Sequence, residues 1–387
     1  MAGEASVLIG TFRERYGGAA SPRVFRAPGR VNLIGEHTDY NLGFVMPVAL
    51  DLACFTATAP NRDGKLRVFS ANMEQEREWP VEELAGAQPA RDWSDYVRGV
   101  ARELIRVGFG VQPCNLGILS TVPVGSGLSS SAAIEVSVAL ALLGDRKMAP
   151  LELVKLCRRA ENEFVGMPCG IMDQYISVFG REKAAIKIDC RSLENEVVPL
   201  PADVEFLAVN SMVKHELGSS AYRQRVEEGK IAVAAIQRRR PEVGSLRDVI
   251  SAELIAYEDA IPPVVMRRAR HVASENERVE AFIQASHRGD KDAMGALLIA
   301  SHRSLQKDYE VSCEELDFLV DTALSIPGVY GARMTGGGFG GCAVSMMRSE
   351  AVPEFRCAIR EHYRSRFNID PQIIPCRPSS GAGEVAL

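Results

Sequence analysis

Gly29-Arg30-Val31-Asn32-Leu33-Ile34-Gly35-Glu36-His37-Thr38-Asp39-Tyr40-Asn41 crowds an arginine, two carboxylates, a histidine, a tyrosine and two asparagines into one short run. Neither a helix period nor a clean strand alternation accounts for it. Inside a core each of these groups needs a partner, because an unpaired buried donor or acceptor costs roughly 1–3 kcal/mol. A polyhydroxylated ligand meets that demand. An exposed polar loop is the alternative on this segment alone.

Working outward, Pro123-Val124-Gly125-Ser126-Gly127-Leu128-Ser129-Ser130-Ser131-Ala132-Ala133 joins a strand-like run, Leu116–Val122, to an apolar helical pattern reaching about Leu143. Glycines let backbone N–H groups approach a ligand. The first-turn amides of a helix have no intrahelical partner and carry about half a positive charge, so phosphate oxygens are the expected occupant. The familiar phosphate loops do not fit. A P-loop needs lysine after its last glycine, where Leu128 stands, and the dinucleotide fingerprint needs a third glycine where Ser130 stands. An ordinary N-cap at Ser129 or Ser130 is the structural alternative.

A third segment, Gly166-Met167-Pro168-Cys169-Gly170-Ile171-Met172-Asp173-Gln174-Tyr175, delivers a single carboxylate to another helix start. A fourth, Thr335-Gly336-Gly337-Gly338-Phe339-Gly340-Gly341, reads as a flexible turn or a close backbone approach to a ligand. Each is weak alone.

Composition bounds these readings. The chain has 387 residues, 46% of them hydrophobic and 25% charged, which suits two or three globular domains. A net charge of −5 removes the electrostatic basis for nucleic-acid binding, and the triplet Arg238-Arg239-Arg240 is expected on a solvated helix end. Nine scattered cysteines with no Cys-x-x-Cys pair read as reduced thiols rather than a disulfide framework or structural zinc. The N-terminus lacks a secretory pattern, and the most apolar run, Ala132–Leu143, is too short to span a bilayer. These features predict a cytoplasmic protein that meets neither membrane nor nucleic acid; a monomer is the expected state, although the sequence does not give it.

Patterning predicts a helix over Ser6–Tyr16, strands over Phe44–Asp51, Cys54–Ala59, Lys65–Ser70 and Leu116–Val122, and helices over Asp95–Val107 and Pro150–Glu163. After strands at Ala184–Cys190 and Glu205–Val213 the pattern turns helix-rich. Strands return at Gly328–Met334 and Cys342–Met347. A soft boundary is placed near Asp189–Pro201, giving a division into 1–190 and 191–387.

Taken together, the four segments resemble the small-molecule kinase superfamily that includes galactokinase, homoserine kinase, mevalonate kinase and phosphomevalonate kinase, the GHMP kinases. The glycine-serine loop resembles its nucleotide loop, and Thr335–Gly341 resembles its third motif. Gly29–Asn41 is similar to the galactokinase signature nearly residue for residue, and Trp93–Val100, Gly166–Tyr175, Leu246–Asp248, His271–Val279 and Asp308–Asp317 are further galactokinase-like phrases. Ser126, where glycine is common, and Met46, where leucine is usual, depart from the pattern.

The resemblance implies an α+β, two-lobed GHMP kinase fold with its site in the interdomain cleft. The first lobe holds a left-handed crossover, which the usual handedness rule would not give. The second is ferredoxin-like, and the last strand is available to return to the first lobe. The implied activity is transfer of the ATP γ-phosphoryl group to the anomeric hydroxyl of α-D-galactose. By resemblance, Asp173 faces that hydroxyl with Arg30 beside it. Glu36, His37, Asp39, Gly170, Asp173 and Tyr222 contact the sugar. Trp93, Pro123, Gly125, Ser126, Gly127, Leu128, Ser129, Ser130 and Ser131 hold the nucleotide. Ser131 and Glu161 match magnesium ligands, few being needed because Mg2+ keeps waters and takes phosphate oxygens. An arginine so placed favours the ionised carboxylate, so Asp173 is expected to orient the hydroxyl or take its proton late. A kinase for N-acetylgalactosamine, galacturonate or arabinose is an alternative. So is a non-catalytic sugar sensor, although the sensors lack the Ser-Ala pair present here as Ser131-Ala132.

Overall fold

The computed structural model describes residues 2–17, 22–214 and 218–386. The first half contains α1 (Ala2–Tyr16), β1 (Arg23–Ile34), β2 (Phe44–Pro60), β3 (Lys65–Ser70), β4 (Gln75–Pro80), α2 (Asp95–Arg106), β5 (Cys114–Ser120), α3 (Ser130–Leu143), α4 (Pro150–Arg159), α5 (Met172–Phe179), β6 (Ala184–Asp189) and β7 (Asn195–Pro199). There follow β8 (Val204–Lys214), α6 (Gly218–Gln237), α7 (Pro263–Arg288), α8 (Lys291–Ser304), α9 (Glu314–Leu324), β9 (Val329–Thr335), β10 (Gly340–Arg348), α10 (Val352–Phe367), β11 (Gln372–Pro375) and β12 (Gly383–Glu384). Among the described residues, no helix is long and apolar enough to cross a membrane.

The first sheet runs β12-β1-β2-β5-β3-β4, with β6 and β7 attached at the start of β2. Its one parallel pair, β3 with β5, needs a crossover, which β4 and α2 provide. The two strand-like runs within residues 44–59 form one unbroken β2. The second sheet has the order β11-β8-β10-β9 and is antiparallel throughout, the 4-1-3-2 arrangement of a ferredoxin-like domain. The chain changes sheets between Pro199 and Val204, because β7 still pairs with β6; a cut at 190 would separate that hairpin. β12 lies back on β1.

Alternation along the second sheet decides how the lobes meet. Phe206, Ala208, Val344 and Met346 point into the same core as the first lobe's Val31, Leu33 and Val48. Their neighbours Leu207, Val209, Ala343 and Met347 face a separate core that includes residues of α6, α7, α9 and α10. The lobes therefore share apolar packing rather than a wet hinge. β1 is buried along nearly its whole length, and its polar side chains find partners for most of their atoms, Arg26 Nε and Asn32 Nδ2 being without one among the described residues. Arg26 donates to the Leu50 carbonyl at 3.0 Å, and the Asn32 carboxamide oxygen accepts from Met46 N at 3.2 Å. The arginine triplet is placed just beyond α6, with Arg239 on Asp259 and Arg240 on Glu253.

Candidate active site

Arg30, near the middle of β1, sends its guanidinium to Asp173 in the first turn of α5. Nε meets Oδ1 and Nη2 meets Oδ2, each at 2.8 Å, a two-pronged charged pair. Its Nη1 donates to the Gly127 carbonyl, and its backbone N–H donates to the Leu128 carbonyl at 3.0 Å. The glycine-serine loop is thereby fastened to β1. Ser129 occupies the N-cap of α3 in a left-handed conformation (φ 61°), but its hydroxyl caps nothing. It donates instead to Asp173 Oδ2 at 2.5 Å, so the carboxylate is held by three hydrogen bonds from two side chains.

Two cavities meet at this pair. The larger, about 690 Å3, is lined by Trp93, Pro123, Gly125, Gly127, Ser129, Ser130, Ser131 and Glu161 of the expected residues. Tyr96 and Phe339 also line it, and the sequence reading did not single them out. Two loop residues depart from expectation. The Leu128 side chain is fully buried in the core, and Ser126 is buried with its hydroxyl on the Pro123 carbonyl at 2.8 Å. Neither lines the cavity; both shape the loop.

The smaller cavity, about 160 Å3, is lined by all six residues expected around a sugar, Glu36, His37, Asp39, Gly170, Asp173 and Tyr222. Arg30, Asp173 and Gly337 belong to both cavities and form their common wall. Gly170 is required by closeness: a Cβ there would lie 1.6 Å from Asp39 Oδ2. Burial, with like charge from Asp173 and Glu36, lifts the Asp39 carboxyl to about 6. Burial also holds Glu36 above the usual carboxylate range, against the pull of Arg333 and Arg30. His37 sits at φ 62° with Nδ1 2.8 Å from the Tyr40 hydroxyl. Burial and the neighbouring His271, Arg225 and Arg333 push it down to about 3, so the ring is neutral; its buried Nε2 has no partner among the described residues. Burial and Asp39 keep the Tyr222 hydroxyl protonated.

Glu36 is gripped by the second lobe. Arg333 of β9, fully buried, donates from Nη2 to Glu36 Oε2 at 2.8 Å and from Nη1 to the carbonyls of Asn32 and Leu33. The Gly35 and Glu36 N–H groups donate to Glu275 Oε1, at 3.0 and 3.3 Å, and His271 Nε2 donates to the Glu36 carbonyl at 3.1 Å. The sequence reading missed Arg333 and gave Glu275 and His271 no role, although the phrase 271–279 contains both. Their partners lie more than 230 residues away, and only the fold brings them together.

On the other side of Asp173, the Glu161 carboxylate lies in a π-helical turn, Ala160–Val165, and accepts from Gln174 Nε2 at 2.5 Å and the Cys169 thiol at 3.4 Å. Burial raises it, a hydrogen bond from Ser131 opposing. No group of three or more His, Cys, Asp or Glu among the described residues could hold a metal ion by itself.

The chain matches the galactokinase galactose-binding signature over residues 10–60, the GHMP kinases N terminal domain over 95–181 and the GHMP kinases C terminal domain over 282–365. It is 44% identical to the galactokinase of Chloroflexus aurantiacus over 382 residues, 98% of this chain and 97% of that one. It is 43% identical to the human galactokinase over 371 residues, 91% and 90% of the two chains. Among solved structures, Lactococcus lactis galactokinase complexed with galactose superposes with a TM-score of 0.94 at 35% identity, covering 98% of this chain and all of that one. A mevalonate kinase (TM-score 0.67, 18% identity, 92% and 98% of the two chains) shares the fold. At 43–44% identity over nine-tenths or more of both chains, the chain belongs to the galactokinase family.

Proposed function

We propose that this chain transfers the γ-phosphoryl group of ATP to the anomeric hydroxyl of α-D-galactose, giving galactose 1-phosphate and ADP, at the wall between the two cavities. The observation that carries this is the Arg30–Asp173 pair, which both cavities share. A sugar in the small cavity and a triphosphate in the large one meet only there. The small cavity falls below the roughly 300–1,000 Å3 of a drug-sized site, which suits a single sugar ring.

Each residue then has a task. Asp173 already accepts hydrogen bonds from Arg30 and Ser129, so it orients the attacking hydroxyl and takes its proton as the new bond forms, rather than stripping it beforehand. Arg30 holds Asp173 and faces the charge that spreads over the moving phosphoryl oxygens. The loop from Pro123 to Ser131, with the free amides at the start of α3, cradles the phosphates, and Trp93 lies toward the base. In the sugar cavity Asp39 and Glu36 accept from hydroxyls, while Tyr222 and the unpartnered His37 Nε2 supply further polar contacts.

A magnesium ion fits the donors present. Ser131 and Glu161 give two hard oxygens beside the phosphate cavity, and a buried carboxylate lacking a cation is the group such an ion would satisfy. When bound, it neutralises charge on the β- and γ-phosphates. The nine free thiols support a reducing compartment, the cytoplasm.

A coupled ADP-release assay over a panel of sugars tests the reading. Galactose should be used strongly, 2-deoxygalactose tolerated and glucose rejected, since a site built to bind one hydroxyl can refuse an analogue lacking it by a factor of about 10⁴. Asp173→Asn should lose turnover by orders of magnitude with nucleotide binding intact. Equal use of glucose and galactose, a preference for N-acetylgalactosamine, or a fully active Asp173→Asn would overturn it.

A further inference from the structure

A third cavity, about 490 Å3, lies against α7, α8 and the π-helical turn Leu305–Tyr309, and shares no lining residue with the other two. Arg270, Ser274 and Arg278 recur every fourth position along α7 and so stand on one face, and Arg303 and Lys307 join them. Arg270 and Lys307 are exposed and make no ion pair among the described residues. Arg278 gives Nε to Glu275 Oε2 at 2.6 Å, yet its Nη2 is buried without a partner among the described residues. Arg303 is held by Asp321 at 2.5 Å. Four cations thus face one lining carboxylate, Asp308, while Glu275 and Asp321 are already engaged.

We propose that this cavity binds a hydroxylated phosphate monoester and that its occupation weakens sugar binding through Glu36. Guanidinium forks match phosphate oxygens, and Ser274 and Asp308 supply groups for hydroxyls. The volume lies within the range of small-molecule sites, roughly 300–1,000 Å3. Two paths lead inward. Glu275 holds Arg278 with one oxygen and the Gly35 and Glu36 N–H groups with the other. Ser304 touches both Asp308 (2.9 Å) and His271 Nδ1 (3.0 Å), and His271 holds the Glu36 carbonyl. An anion that draws Arg278 from Glu275 loosens the grip on Glu36. By linkage, galactose must weaken the anion by the same factor. The binding half stands alone; the coupling half rests on Glu36 being a sugar contact.

Calorimetry tests both halves. Glycerol 3-phosphate and, separately, inorganic phosphate are titrated into the full chain with the large cavity filled by a non-hydrolysable ATP analogue. Saturable binding is expected, weakened at least about tenfold in Arg270→Ala/Lys307→Ala, a change of about 1.4 kcal/mol. Tighter binding of glycerol 3-phosphate supports the ester as ligand, whereas equal binding of both probes overturns that choice in favour of free phosphate. No saturation below roughly 10 mM, or unchanged affinity in the double variant, overturns the site. Glycerol 3-phosphate should raise the galactose Kd about fivefold; an unchanged Kd overturns the coupling. Failure of galactose to bind the parent chain would instead fault the sugar assignment, with the phosphate titrations still deciding the site.

Discussion

Replacing Asp39 with asparagine should make the protein more stable and far less active. Among the described residues, Asp39 is the carboxylate of the small cavity that forms no ion pair: Glu36 has Arg333, and Asp173 has Arg30. Burial first, then the charges of Asp173 and Glu36, lift its carboxyl from 3.8 to about 6. At about 1.4 kcal/mol per pH unit, the ionised group costs the folded state up to about 3 kcal/mol. Because the folded-state value is the raised one, the cost is absent below pH 3.8, grows between pH 3.8 and 6, and is complete above pH 6. Asparagine keeps the shape and an acceptor for the Tyr40 N–H but carries no charge. With an unfolding entropy of about 2.1 cal/mol/K per residue, 3 kcal/mol corresponds to roughly 4 °C for a chain of this length.

Thermal unfolding of parent and Asp39→Asn at pH 8 and pH 4.5, without ligands, measures this directly. The variant should melt about 4 °C higher at pH 8, with the gap narrowing at pH 4.5. Its kcat/KM for galactose should fall by a factor of about 10² or more, because a carboxylate accepting from hydroxyls has been removed. In the parent, protonation of Asp39 should raise the galactose KM as pH drops below about 6 while the ATP KM holds. A variant that melts at or below the parent at pH 8, or that keeps its galactose kcat/KM, refutes the reasoning.

Gly170→Ala should abolish galactose use while sparing nucleotide binding measured by calorimetry, since the added methyl would overlap the Asp39 carboxylate. Arg333→Met should cost about 3–5 kcal/mol in denaturant unfolding, the usual penalty for stranding a buried charge, and should raise the galactose KM more than the ATP KM. Ser131→Ala and Glu161→Gln should each raise the magnesium concentration for half-maximal activity with galactose affinity little changed. If both titrate like the parent, the metal ligands lie elsewhere.

Sequence alone made local geometry readable where residues act through their own neighbourhood. The strand before the glycine-serine loop, the helix after it and the helix start at Asp173 all follow from apolar periodicity and glycine placement. Within the loop, period said nothing about which residues face out. Ser126 and Leu128 look like phosphate contacts because they sit among them, but Leu128 fills the core and Ser126 closes the loop on itself. Among the elements that escaped the sequence reading are β1, buried along nearly its whole length so that no alternation shows, and β4, β7, α10 and β11. β4 is half-exposed with weak alternation, β7 is almost wholly exposed, α10 carries a mixed charged face, and β11 is only four residues long.

The crowding of polar groups in Gly29–Asn41 has a different cause from the one its composition suggests. A sugar need not satisfy them all, because the protein satisfies most of them itself. Asn32 bonds Met46 and Thr38 bonds the carbonyls of Gly35 and Phe44. Asn41 bonds the His37 carbonyl, and Glu36 bonds Arg333. What remains open to a ligand is small: His37 Nε2, Asp39, and the lone pairs left on Glu36 and Asp173. The segment therefore does two jobs with one set of residues. It joins the lobes through Arg333, Glu275 and His271, and it presents a few uncommitted polar atoms at a fixed spacing. Those atoms sit on backbone clamped from the second lobe, across a shared apolar core, so the small cavity is shaped during folding rather than assembled on binding. A substitution in the second lobe that touches no ligand, such as one at Arg333, should thus register first in the use of galactose.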